Sequence, residues 1–283
     1  MSATAATTMA SRTLPSTLSS GVRAIKLELI SYFRTPDTVF FTFLFPIVML
    51  AIFGTAFASV GEIGAKPDGS GGITMAAYYL PGMLAAGIFL SGLQNMAVDI
   101  AGEKNGGWLR RLGGMPLSPV SYFMGKAGQV FVTASLQAVL LLVFARFVFQ
   151  VELPNEPALW LRFAWIFALG IVTMTLLGIA LSALPRSSKS ATAVVLPISL
   201  LLQFISGVYL QFTMLPEWLQ NVASAFPLKW LAQGMRSVFL PEHFELAEMN
   251  ESWDLGLVAA NLAGWLVIGL VLSLLTFRWV RRS

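Results

Sequence analysis

Glu103, Lys104, Arg110 and Arg111 fall within one short stretch, "GEKNGGWLRRLGGMPLSP" (102–119), in a 283-residue chain that is 56% hydrophobic and only 11% charged. Glu103 suits the first turn of a short helix, whose N-terminus favours negative charge. On such a helix Trp108, Leu109 and Leu112 form an apolar edge and Arg110 and Arg111 a cationic one, until Pro116 and Pro119 stop it. The chemistry available to that pattern is recognition. It can dock a protein partner, or it can anchor the chain to phosphates and headgroups of a membrane.

Catalytic chemistry finds little support elsewhere. There is no GxxxxGK[ST] phosphate loop: the "GK" at Gly125-Lys126 is followed by Ala127 and has Val120 where the first glycine should stand. The chain therefore cannot hydrolyse ATP by that route. With no cysteine and a single histidine, His243, no metal centre is expected, and a serine–histidine pair facing each other inside a membrane is not available.

The stretch must be held by the elements on either side of it. Soluble domains carry about 25% charged residues, so a chain with less than half of that cannot clothe a water-facing surface. Its apolar residues come in runs long enough to cross about 30 Å of hydrocarbon. Six are expected: 38–60, 75–98, 127–145, 163–184, 190–212 and 255–277. Period-two alternation is missing from all of them, so the fold class is an all-α integral membrane protein with six transmembrane helices. The opening twenty residues, rich in Ala, Ser and Thr, contain no apolar core of a signal peptide and read as a disordered tail (1–20). An amphipathic helix (21–36) and a transmembrane domain (37–283) follow.

Even crossings put both termini on one side. Thirteen of the eighteen Lys and Arg fall on that side, among them Arg23, Lys26, Lys104, Arg110, Arg111 and Lys126, and most of the acids fall on the other. The positive-inside rule then makes the termini and the 102–119 stretch cytoplasmic, in a cell membrane. The pI of about 9.6 is explained by cations bordering the inner leaflet, without nucleic acid. Val22, Ile25, Leu29 and Phe33 recur at helical spacing beside Arg23 and Lys26, which fits an interfacial helix on that leaflet or a helix extending the first span. Between the fifth and sixth spans, 213–254 carries two short amphipathic patterns around Trp218 and Trp230, too short to cross, which should lie at the outer interface or dip into it.

Ser91, Gln94 and Asn95 in the second span, and Gln203 and Ser206 in the fifth, are expensive facing lipid. They either line a substrate path or hydrogen-bond between helices, a contact worth about 0.6 kcal/mol on average. Asp99, at the inner edge, is expected to pair with a loop cation.

Three segments together, "YYLPGMLAAGIF" (78–89), "EKNGGWLRRLGGMPLSPVSYFMGK" (103–126) and "ISGVYLQFTMLPEWLQNVASAFPLKWLAQGMRSVF" (205–239), resemble the permease subunits of ABC-2 type exporters. Family members often carry a further Arg and a second acid beside the loop glutamate; here the order is Glu103, Lys104, Asn105, Gly106, Gly107, Trp108, so one acid of that network is missing. The resemblance implies a transporter of two permease chains, identical or related, and two copies of an ABC ATPase subunit that binds the ATP and Mg. This chain itself would bind no cofactor. It implies further that Glu103, Gly106, Trp108, Arg110, Arg111 and Leu112 form a coupling helix between the second and third spans, touched by the ATPase together with the helix of Val22 to Phe33. Relatives of this type export drugs, antibiotics, lipids or polysaccharide precursors. The competing reading is a transporter driven by an ion gradient, which would want inverted repeats and acids within the spans; no repeat is visible and the spans are nearly free of acids.

Overall fold

The computed structural model describes residues 17–65, 70–107, 119–185 and 187–276. Its helices are α1 (Thr17–Phe33), α2 (Pro36–Ala56), α3 (Met75–Phe89), α4 (Met96–Asn105), α5 (Pro119–Val148), α6 (Pro157–Leu181), α7 (Ser188–Ile205), α8 (Glu217–Ser224), α9 (Pro227–Phe239) and α10 (Leu255–Thr276). Among the described residues there is no strand, only one antiparallel bridge between Ile63 and Ile73. α3 and α4 form one continuous rod, joined by a π-helical turn at Leu90–Asn95.

Five of these elements are long and apolar enough to cross a membrane: Pro36–Val60, Met75–Asn105, Val120–Val148, Pro157–Leu181 and Leu255–Thr276. The expected fifth span differs. α7 ends at Ile205 rather than near residue 212, because Gly207 takes a left-handed backbone (φ 76°) and turns the chain. Its 18 residues measure about 27 Å. The run of apolar residues past Gly207 disguises this stop. Val208, Tyr209 and Phe212 are buried, but in the connection rather than in the helix.

The α3–α4 rod is the buried centre of the bundle. Leu80, Met83, Leu84, Ile88, Phe89, Met96 and Ile100 are all sealed from the surface. α2 and α10, by contrast, expose Phe40, Phe41, Val267, Leu274 and Leu275, as helices do when hydrocarbon is their solvent. Close approach to the rod depends on glycine. A Cβ on Gly178 of α6 would lie 2.4 Å from the Gly92 carbonyl oxygen, and one on Gly92 would lie 2.8 Å from Met174. α6 thus presses directly on the π turn.

α8 and α9 form a hairpin that dips into the bundle. Phe226, at its tip, stacks on Trp265 with ring centroids 6.2 Å apart, and the Trp265 indole donates to the Ala225 carbonyl at 2.7 Å. Trp265 lies ten residues into α10, about 15 Å along it. Accordingly every residue of α9 from Pro227 to Val238 is buried, whereas Trp218 on α8 is exposed.

The hairpin carries charge inward with it. The Arg236 guanidinium donates to both carboxylate oxygens of Glu248 (2.5 and 3.0 Å) and to the Gly207 carbonyl (3.1 Å). The attraction of Glu248 holds the guanidinium pKa above its ordinary value despite burial. Lys229 has no exposure at all; its ammonium donates to Gln233 (2.5 Å) and sits 3.6 Å over the Trp230 ring. Burial pushes its pKa down to about 8.

α1 runs alongside the first half of α5. Ser121 Oγ donates to the Thr17 carbonyl at 3.0 Å, Gly21 abuts Met124, and Gly125 and Gly128 receive Ala24 and Ile25 so closely that a Cβ at either glycine would clash. The face turned inward is Gly21, Ile25, Glu28 and Tyr32, at spacings of four, three and four. Val22, Arg23, Lys26 and Phe33 are exposed, and Ile25 and Leu29 half-buried. Residues 17–20, expected in the tail, already belong to this helix.

Candidate functional site

Three elements meet beside the 106–118 connection, and each supplies titratable groups through helical spacing. Asp99 and Glu103, four residues apart, share a face of α4; Tyr122 and Lys126, four apart, share a face of α5; Glu28 comes from α1. The Lys126 ammonium donates to Glu103 at 2.5 Å and to Glu28 at 2.8 Å, and the Tyr122 hydroxyl donates to the other Glu103 oxygen at 2.7 Å. Lys126 is only 2% exposed. A buried ammonium is retained at such a place only when its charge is met, and here two carboxylates meet it. Burial raises the Glu28 carboxyl above its ordinary pKa, and Lys126 opposes that rise.

Among the described residues the charges at this node do not balance. Glu28, Asp99 and Glu103 surround one lysine, and the Asp99 carboxylate forms no hydrogen bond or ion pair among the described residues. Of the loop cations expected to pair with it, Lys104 makes no ion pair with it, and Arg110 and Arg111 lie outside the described residues. A cavity of about 330 Å³ is lined by Glu28, Tyr32, Asp99, Glu103 and Lys126. It shares Thr38, Val98 and Asp99 with a larger one of about 590 Å³, which runs between α2, the π turn and α7.

Gln94, Asn95 and Gln203 line this larger cavity, so three of the five expected path residues converge. Gln203, 1% exposed, accepts from the Tyr209 hydroxyl at 2.6 Å and donates to the Ser199 carbonyl; Asn95 donates to Thr42 Oγ at 2.8 Å. Gln94 keeps a buried Oε1 with no partner. Ser91 and Ser206 are buried with unpartnered hydroxyls but do not line it. π turns tend to mark functional positions, because the extra residue redirects side chains that a regular helix would stack. Here the π turn holds Ser91, Gln94 and Asn95 together.

Glu103 does not open a separate short helix. It sits in the last turns of α4, continuous with the second span, and Gly106 is the C-terminal cap of that helix, its amide donating to the Gly102 carbonyl at 2.8 Å. A carboxylate near a helix C-terminus is disfavoured by the macrodipole, a cost that Lys126 offsets. Trp108, Arg110, Arg111 and Leu112 lie outside the described residues. Glu28, Tyr32 and Tyr122 are absent from the sequence-based site. The one signal that could have found Glu28 and Tyr32 is the Gly21–Ile25–Glu28–Tyr32 face, which the more apolar Val22–Leu29 stripe outcompetes in a hydrophobicity reading.

Residues 22–240 match the family model for the ABC-2 type transporter. The chain belongs to that family. It is similar to the "Putative transport permease ycf38" of Cyanophora paradoxa, 25% identical over 89% of this chain and 84% of the relative. It is also similar to the Porphyra purpurea protein of the same name, 26% identical over 69% of this chain and 65% of the relative. The "Probable multidrug ABC transporter permease YbhR" of Escherichia coli K12 is 22% identical over 65% of this chain, which matches about half of that longer protein (49%). An ABC-2 permease is the membrane subunit of an ABC transporter and not its ATPase, so membership implies a membrane and an ABC ATPase partner.

Proposed function

We propose that this ABC-2 permease is the transmembrane half of an ATP-driven exporter, moving an amphipathic substrate outward on ATP hydrolysed, with Mg, by the partner. α7 serves as its fifth crossing, which makes six and leaves both termini in the cytoplasm of a cell membrane. Two permease chains, identical or related, and two ATPase copies complete the transporter. Glu103, Gly106, Trp108, Arg110, Arg111 and Leu112 receive the ATPase, together with the exposed Val22, Arg23 and Lys26 side of α1.

The observation that carries this reading is the Lys126 node. It ties α1, α4 and α5 beside the cytoplasmic connection, one shared carboxylate away from the cavity of Gln94, Asn95 and Gln203. A rigid push on the connection must then alter the walls of that cavity, which is how a two-state device passes work from one site to another.

The reading is tested by purifying the tagged chain from its native membrane. An ABC ATPase is expected to accompany it, and Glu103→Ala is expected to lower substrate-stimulated ATP hydrolysis of the complex while membrane insertion is kept. Repeated recovery of an active transporter without an ATPase would transfer the assignment to the gradient-driven class.

A further inference from the structure

The 590 Å³ cavity is amphipathic and electrically one-sided. Its wall is built largely from Phe41, Phe45, Leu90, Leu196 and Leu200, with amides and hydroxyls at intervals. Its charged lining residues are Asp37 and Asp99; among the described residues no Lys or Arg lines it. The nearest ammonium in the adjoining cavity, Lys126, is already held by Glu28 and Glu103. Among the described residues Asp99 therefore lines the space with no hydrogen bond or ion pair of its own, and the buried Gln94 Oε1 of the same cavity lacks a donor.

We propose that this cavity binds a lipophilic organic cation, with Asp99 as its counter-charge and Phe41 and Phe45 as the aromatic wall against which it lies. This rests on the permease reading above and deepens it by naming the substrate class. The two carboxylates come from different helices, and no group of three His, Cys, Asp or Glu among the described residues could hold a metal ion. A bare inorganic ion would also leave the apolar wall without a purpose. An anionic amphiphile would meet two like charges, and a neutral one would leave Asp99 desolvated without compensation. A delocalised cation satisfies the carboxylate by Coulomb attraction, the rings by cation–π contact and the aliphatic wall by burial.

The test uses the purified complex of this chain with its ATPase, two probes and three variants. Tetraphenylphosphonium is the cation and Nile red the neutral lipophile. The expected result is saturable tetraphenylphosphonium binding that Asp99→Asn weakens by roughly tenfold or more. Asp37→Asn, at the exposed start of α2, weakens it less, Asp99→Glu retains most of it, and Nile red binding is the same in all four proteins. Equal cation affinity in wild type and Asp99→Asn would overturn the proposal. So would a complex that hydrolyses ATP and binds Nile red but not the cation, and in that case the permease reading stands. If no ATPase accompanies the chain and neither probe binds, both fall together.

Discussion

The bundle buries ionic groups at both ends, in opposite ways. At the Lys126 end one ammonium joins three separate elements, α1, α4 and α5, across sequence separations of 98 and 23 residues, and among the described residues lining that cavity carboxylates outnumber it. At the Arg236 end a bidentate guanidinium–carboxylate pair closes a loop of twelve residues, and a second buried cation, Lys229, stands beside Arg236 with no ion pair of its own among the described residues, Glu248 and Asp254 acting on it only through space. Glu28 and Glu103 each keep 21% side-chain exposure, whereas Arg236 and Glu248 keep 5% and 6%. A half-wet node between independent helices can open and close at modest cost. A dry fork within one connection cannot. The contrast separates a part suited to transmitting movement from a part that fixes a hairpin in place.

The largest expected effect tests the fixed end. Glu248→Ala leaves the buried guanidinium with little beyond the Gly207 carbonyl and should destabilise the protein by about 3–5 kcal/mol. Thermal melting of the detergent-solubilised chain, followed by size-exclusion fluorescence, reads this directly. Arg236→Met combined with Glu248→Leu should recover most of the loss, since an apolar pair of similar volume needs no compensation.

Lys126→Met is expected to do the reverse. Glu28 and Glu103 can turn to water, so melting should fall by about 1–2 kcal/mol. Stimulation of ATP hydrolysis by substrate should nevertheless be lost, because α1 and α4 no longer report to α5. A melting loss as large as that of Glu248→Ala, or full stimulation in Lys126→Met, would erase the distinction between the two ends.

Much of the scaffold is legible in the sequence, and the reason is the length of its apolar runs. Pro46, Pro81 and Pro197 sit inside helices, as a membrane permits, and the short patterns around Trp218 and Trp230 become α8 and α9. Two of the exceptions share one cause. Charged residues near the ends of apolar runs read as flanks, so Glu103 looks like part of a loop and Lys126 like an edge, when both lie on continuous helices that extend past the runs. Glu28 is harder still. Its partner is 98 residues away, and no local period announces a contact of that range. Gln94, Asn95 and Gln203 are the opposite case, legible because a polar amide within an apolar span needs a reason of its own.

A third difference between the ends concerns protons. Burial lowers Lys229 to about 8 from an ordinary value of 10.5. Between those two values the unfolded chain binds more protons than the folded one, so stability rises with pH across that window and the gain is absent below about 8. It should not exceed about 3.5 kcal/mol. Melting temperature of the wild type should therefore climb between pH 8 and 10 relative to Lys229→Met, in which the slope disappears. Parallel curves would mean that Lys229 is relieved by a neighbour.

The smallest effect probes the Lys126 end without removing a charge. Tyr122→Phe deletes the hydroxyl that donates to Glu103 and leaves the ring packed, where it meets Phe123 edge to face at 5.3 Å. A hydrogen bond to a carboxylate contributes about 1.5–3 kcal/mol, but the freed Glu103 oxygen lies beside a cavity and can recruit water, so the net cost should be about 1 kcal/mol. The hydroxyl holds Glu103 in the rotamer that meets Lys126. Its loss should therefore lower substrate-stimulated ATP hydrolysis by a few-fold while leaving basal hydrolysis unchanged. If Glu103 needs no such guidance, Tyr122→Phe will match the wild type in both assays, and the node then rests on the two salt bridges to Lys126 alone.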